Sequence, residues 1–153
     1  MAHRCRLWSI PVESSDSQRF TVVLVHRLEH GATSADLAHT TTQIWRGIDA
    51  ALSPIIGRRG VDALFRRSVH VAMQRHGWLA QIHSDALELP DLANLATTLE
   101  QQPADKAASG SGALIDTFHS LLIGLIGASL TERLFRSVWA IVSANQPPQD
   151  TSA

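Results

Sequence analysis

The run Ile55–Arg66, IIGRRGVDALFR, recurs seventy positions later as Leu125–Arg136, LIGASLTERLFR. At that offset Gly57 meets Gly127, Asp62 meets Glu132, and Leu64-Phe65-Arg66 meets Leu134-Phe135-Arg136. Upstream, Trp45, Ile48 and Leu52 fall on Ile115, Phe118 and Leu122. A helix–glycine–helix unit used twice must bury the same apolar face twice. Its two copies, about 34–76 and 113–143, are expected to pack as helix pairs related by an approximate two-fold.

The periodicity of the remaining chain is also helical. From Asp16, the residues Phe20, Leu24 and Leu28 share a line with Val23 beside it. The run TVVLV is strand-like by β-branching, but no second such run lies nearby to satisfy its backbone groups. His30-Gly31 closes this helix, and Ser34 is expected to cap the next, with Asp36 in its first turn. On that helix Leu37, Thr41, Ile44, Trp45, Ile48 and Leu52 fill one face. Ser53-Pro54 is expected to end it, because a residue before proline is pushed out of the α region.

A third helix, about Arg59 to His76, sets Val61, Leu64, Phe65, Val69 and Met73 opposite Arg59, Arg66, Arg67 and His70. Gly77 is its stop. A weaker pattern over 78–89 leads to a short helix from Pro90-Asp91 through Leu99. Gln101–Gly112, QQPADKAASGSG, reads as a mobile loop by its glycine and serine content. Two last helices carry Leu114 to Ile126 and Leu130 to Val142. The expected architecture is an all-α bundle of about six helices. Residues 1–15 are expected to be an extended lead-in, 16–143 a single domain and 144–153 a flexible tail.

At 153 residues the chain has the length of one ordinary domain, enough to bury roughly two-thirds of its unfolded surface. Hydrophobic content of 44% and charged content of 18% fit a globular protein. A formal net charge of −1 gives no global attraction for nucleic acid or anionic membrane. The single cysteine, Cys5, forms no internal disulfide, which fits a reducing compartment. No signal-like core precedes Pro11. The longest apolar-rich stretch, Leu121–Leu130, is short of the about 20 residues that cross a bilayer. The expectation is a cytoplasmic protein with no membrane partner.

The densest functional candidate is the face carrying Arg58, Arg59, Arg66, Arg67 and His70, with Asp62 the one acidic residue within its helix. Guanidinium groups bind carboxylates and phosphates in planar, bidentate fashion. An acidic protein partner fits this face. A nucleotide or nucleic acid ranks below it, because no aromatic residues interleave the arginines and the net charge is not basic.

Of eight histidines, His26 and His30 share a helix face at ligand-like spacing, and His119 borders the most apolar helix. These three are the candidates for a histidine-ligated metal or heme site, although the sequence between His26 and His30 lacks the zincin pattern. A phosphotransfer histidine is not supported: His39 and His70 are exposed on their wheels, but neither is followed by the expected lysine and glycine. Gly57-Arg58-Arg59-Gly60 lacks the preceding strand and the lysine of a phosphate loop. Gly57 and Gly127 read as tight inter-helix turns. There is no G-x-S-x-G elbow and no suitably paired carboxylates. No catalytic residue and no cofactor are therefore expected. The wide apolar arc of the last helix makes Phe135 and Trp139 either central to the bundle or part of a homodimer interface.

The runs SPIIGRRGVDALFRRSVH and LIGASLTERLFRSVW resemble a pattern in uncharacterised bacterial helical proteins that accompany sensor and signalling genes. The resemblance covers residues 45–78 and 113–139. It implies a signalling accessory role and assigns no ligand or catalytic residue. The leading expectation is a non-enzymatic module that regulates or scaffolds a signalling protein through protein–protein contacts.

Overall fold

The computed structural model describes residues 16–84 and 92–144, so the lead-in 1–15, the expected helix start at Pro90-Asp91 and the chain from 145 onward lie outside the described residues. Within them are six α-helices and no strand: α1 (Asp16–Glu29), α2 (Ser34–Ala72), α3 (Ala80–Ser84), α4 (Leu92–Glu100), α5 (Ala104–Ile126) and α6 (Ala128–Ala144). A 3-10 turn, Gly77–Leu79, precedes α3. The all-α bundle expected from periodicity is the observed fold.

The cap of α2 lies one residue before the expected one. Thr33 Oγ1 accepts the Asp36 backbone N–H at 3.2 Å, and the Asp36 carboxylate accepts the Thr33 N–H at 3.0 Å. This reciprocal capping box satisfies two donors that the first turn would leave unpaired. The bond from the Thr33 N–H, then the one with its hydroxyl, holds the Asp36 carboxyl below its ordinary range.

Pro54 does not end α2. The helix runs through it to the break at Gly57, where φ is +82° and ψ is 157°. Proline removes the N–H that would bond to Ala50, and Ala50 is exposed, so water can take that carbonyl. At the equivalent place Gly127, with φ +92° and ψ 159°, separates α5 from α6. Only glycine adopts such a backbone without strain. The Thr131 hydroxyl then donates to the Gly127 carbonyl at 2.7 Å and secures the first turn of α6.

Of the stretch 101–112 only 101–103 connects helices; the rest is helical. Pro103 caps α5, which starts at Ala104, and Gly110, Ser111 and Gly112 are buried within it. Their smallness serves close approach. A Cβ at Gly110 would lie 2.2 Å from Trp78 Cζ2, and one at Gly112 would lie 3.3 Å from Thr21 Oγ1. Between them the Thr41 hydroxyl donates to Ser111 Oγ at 3.1 Å, a buried bond between two repeat-equivalent residues.

That bond marks the axis of the molecule. Thr41/Ser111, Trp45/Ile115, Ile48/Phe118 and Leu52/Leu122 form four equivalent pairs, all buried, at the four-three-four spacing of a helix seam. The Trp45 ring meets Phe118 edge-on at 5.0 Å and Phe65 at 4.9 Å. The Ser34 hydroxyl bonds the Gln102 carbonyl, so α2 and α5 start at the same end and run parallel. The arm after Gly57 and α6 fold back beside them.

The repeat is larger than its sequence signature. α1 packs chiefly on α5, and α4 packs chiefly on α2, a reciprocal exchange of first helices. At a register of 71, Leu24 matches Leu95 and Leu28 matches Leu99, with Leu24, Leu95 and Leu99 fully buried. Each unit is thus three helices. Across 31–72 and 101–142 the burial class agrees at every position except 47/117, 49/119, 64/134 and 69/139. Within the described residues α5 is the helix long and apolar enough to cross a bilayer by length and composition. Its apolar side, from Ala107 to Leu122, is the bundle core.

Candidate interaction surfaces

Arg58, Arg59, Arg66, Arg67 and His70 all lie exposed on the arm after Gly57, while Val61, Phe65, Ser68, Val69 and Ala72 turn inward. The inward set supplies the burial that holds this arm on the bundle, and the 3.6-residue period leaves the cations outside. From residue 58 to residue 70 the face extends about 18 Å along the helix. Asp62 Oδ1 approaches Arg66 Nε at 3.6 Å, with the two side chains 24% and 44% exposed. An ion pair this open to solvent contributes about 0–1 kcal/mol.

The repeat supplies an internal control for this face. The positions equivalent to Arg58, Arg59, Arg66, Arg67 and His70 are Ala128, Ser129, Arg136, Ser137 and Ala140, and each pair is equally exposed. One arginine of the four is matched. The fold accepts alanine and serine at the other places, so burial and helix geometry do not require the cations.

Phe135 lies in the interior of the bundle. Its ring is fully buried, with Phe20 at 6.2 Å and His119 at 4.9 Å, because α1 crosses the apolar arc of α6 that looked too wide for one partner. Trp139 is half-buried under the same helix: it meets Phe20 at 5.4 Å, and Arg19 lies over its ring at 5.7 Å.

His26 and His30 are exposed, with ring centroids 4.2 Å apart, and His30 Nδ1 donates to the His26 carbonyl at 2.9 Å. They border a cavity of about 440 Å³ that also takes in Arg27 and Asp36. Arg27 opposes a cation there, and the Asp36 carboxylate is engaged in the helix cap. His119 is buried at the α5–α6 junction, its Nε2 3.8 Å from Glu132 Oε2. It is remote in sequence and in element from the other two. Among the described residues no three histidine, cysteine or acidic side chains gather as metal ligands.

One further surface lies between α1 and α5. α1 and α5 border a cavity of about 580 Å³ floored by Thr21, Ala108 and Gly112, with Val22 and Val25 along one side. Val22 is 64% and Val25 42% exposed. The run TVVLV carries apolar residues on both faces of α1, so periodicity finds the inward Leu24 and passes over the outward valines.

No family model, curated protein or solved structure matches this chain.

Proposed function

We propose that the protein is a non-enzymatic helical module acting in signalling or regulation through protein–protein contacts, with the face of Arg58, Arg59, Arg66, Arg67 and His70 as its contact surface. The observation that carries this reading is the asymmetry between equivalent arms: four arginines on one and a single arginine at the matching places of the other. The duplicated geometry does not need this charge cluster, which leaves recognition as its role in this reading. Planar guanidinium groups on an 18 Å helical face (about twelve residues at 1.5 Å) suit a partner presenting several carboxylates.

The test is chemical cross-linking in the source cells followed by quantitative recovery of cross-linked proteins, comparing the natural chain with Arg66→Glu/Arg67→Glu. The reading expects one or more acidic-surfaced partners to be lost from the variant while its helical circular dichroism is unchanged. Equal recovery with both chains would refute it. A partner recovered as nucleic acid, with affinity falling steeply as salt rises, would replace it with the electrostatic alternative.

A further inference from the structure

Two helical stripes in which the repeat units differ complement each other. On the groove side of α5, Asp105, Ser109, Gly112 and Asp116 follow at i, i+4, i+7 and i+11. On the arm after Gly57, Arg59, Ala63, Arg66 and His70 keep the same spacing. Residues so spaced form one line along a helix, and eleven residues span about 16 Å. The α5 line is acidic at both ends with small residues between. The arm line is basic at both ends, with Ala63 as its small residue.

The fold imposes neither line. The equivalents of the α5 line on α2 are Ala35, His39, Thr42 and Arg46, and those of the arm line on α6 are Ser129, Arg133, Arg136 and Ala140. These two hold no acid, so they offer each other no charge complement. Across the groove from α5 stand Val22 and Val25, 64% and 42% exposed, where α4 has Ala93 and Ala96 at the register of 71. No lysine or arginine lines the groove.

We propose that the groove between α1 and α5 receives the arginine arm of a second copy of this chain, head to tail. The charged ends of both lines are exposed in the folded chain, so one does not cover the other within a copy. Set antiparallel to α5, the arm brings Ala63 over Gly112, with His70 at Asp105 and Arg59 at Asp116. The methylene stems of Arg66 and Arg67 then lie across Val22 and Val25 while their head groups stay in water.

Arm and groove are different surfaces, so each pairing leaves one of each unused, and assembly continues into a ring or an open chain. A contact one helix long is at the small end of protein interfaces, which places assembly at high protein concentration. Its charge complement weakens as salt rises. This docking rests on the arginine face being a contact surface, and it names the acidic partner of that face.

Sedimentation velocity of the full chain from μM to mM concentration tests it. The natural chain is expected to gain mass with concentration at low salt and to lose that gain at high salt. Two grafts take their residues from the equivalent places of the molecule. The arm graft is Arg58→Ala/Arg59→Ser/Arg67→Ser/His70→Ala, and the groove graft is Val22→Ala/Val25→Ala/Asp105→Ala/Asp116→Arg. Each graft alone should stay monomeric with unchanged far-ultraviolet circular dichroism. An equimolar mixture holds one intact arm and one intact groove per pair, so it should stop at two copies. A natural chain monomeric up to mM would overturn the proposal, as would a mass gain indifferent to salt, a graft that assembles like the natural chain, or a mixture that does not pair. The salt response needs neither graft, so a graft that fails to fold does not remove the test. If the natural chain is monomeric while Arg66→Glu/Arg67→Glu still loses its cross-linked partners, only the second-copy occupant falls. Equal recovery of partners by both chains would instead remove the arginine face itself.

Discussion

The arm after Gly57 and helix α6 hold the same place in two copies of one unit, yet their outer faces have little chemistry in common. Inside, Phe65 and Phe135 do the same work, and Gly57 and Gly127 take the same left-handed turn. Outside, Arg58, Arg59, Arg67 and His70 stand where α6 has Ala128, Ser129, Ser137 and Ala140. Agreement between equivalent positions identifies what the fold needs, and disagreement identifies what it leaves available. A duplicated chain carries its own reference state.

That comparison breaks most readily at the aromatic pair. Phe65→Ala and Phe135→Ala should each cost about 3–5 kcal/mol, because both rings are fully enclosed. Urea denaturation should place them near each other. A variant losing under about 1 kcal/mol would mean that its half packs more loosely than the other.

Next comes Gly110. Gly110→Ala drives a methyl into the Trp78 ring and should cost about 1–3 kcal/mol. Gly124→Ala, on the same helix with open space around it, should instead stabilise by about 0.5–1 kcal/mol. Thermal midpoints moving the same way for both would show that Trp78 does not rest on α5.

The capping box distinguishes the two units, since Thr33 starts α2 where Pro103 starts α5 without a side-chain bond. Thr33→Ala should cost about 1 kcal/mol in denaturation experiments. The Asp36 carboxyl is held below its ordinary range, so its contribution is present above the unfolded-state pKa of about 3.8 and is lost as pH falls through the lower folded value. Asp36→Asn should therefore flatten that part of the acid stability profile. An unchanged profile would mean that the cap does not hold in solution.

The smallest stability effect belongs to the largest functional one. Replacing Arg58, Arg59, Arg67 and His70 by the α6 residues Ala, Ser, Ser and Ala should shift stability by no more than about 0.5 kcal/mol per substitution. Partner recovery should nonetheless collapse. A large loss of stability would return these arginines to the fold.

The helical class and the core of the repeat were legible because the phenylalanine and glycine signatures, Phe65/Phe135 and Gly57/Gly127, sit where burial and backbone geometry allow few substitutes. The first helix of each unit was not legible as part of it. Between α1 and α4 the register slips by one residue, and Phe20 has no apolar equivalent at Asp91. Residues 101–112 misled because glycine and serine read alike whether they loosen a loop or let two helices touch. Trp78 decides which, and it lies thirty-two positions away from Gly110. The arginine face was visible in composition, but its independence from folding became visible only with the equivalent arm beside it. The α1–α5 groove was hidden, because outward valines look like core until the inward face is known.

The exchange of first helices has a consequence for how the molecule comes apart. With α1 resting on α5, and α4 on α2, neither unit encloses its own apolar surface. Melting either three-helix unit uncovers the other, so the described domain has no half-folded state in which one core survives intact. Calorimetry should see one transition whose van't Hoff and calorimetric enthalpies agree. The duplication multiplied the helices without multiplying the cooperative units.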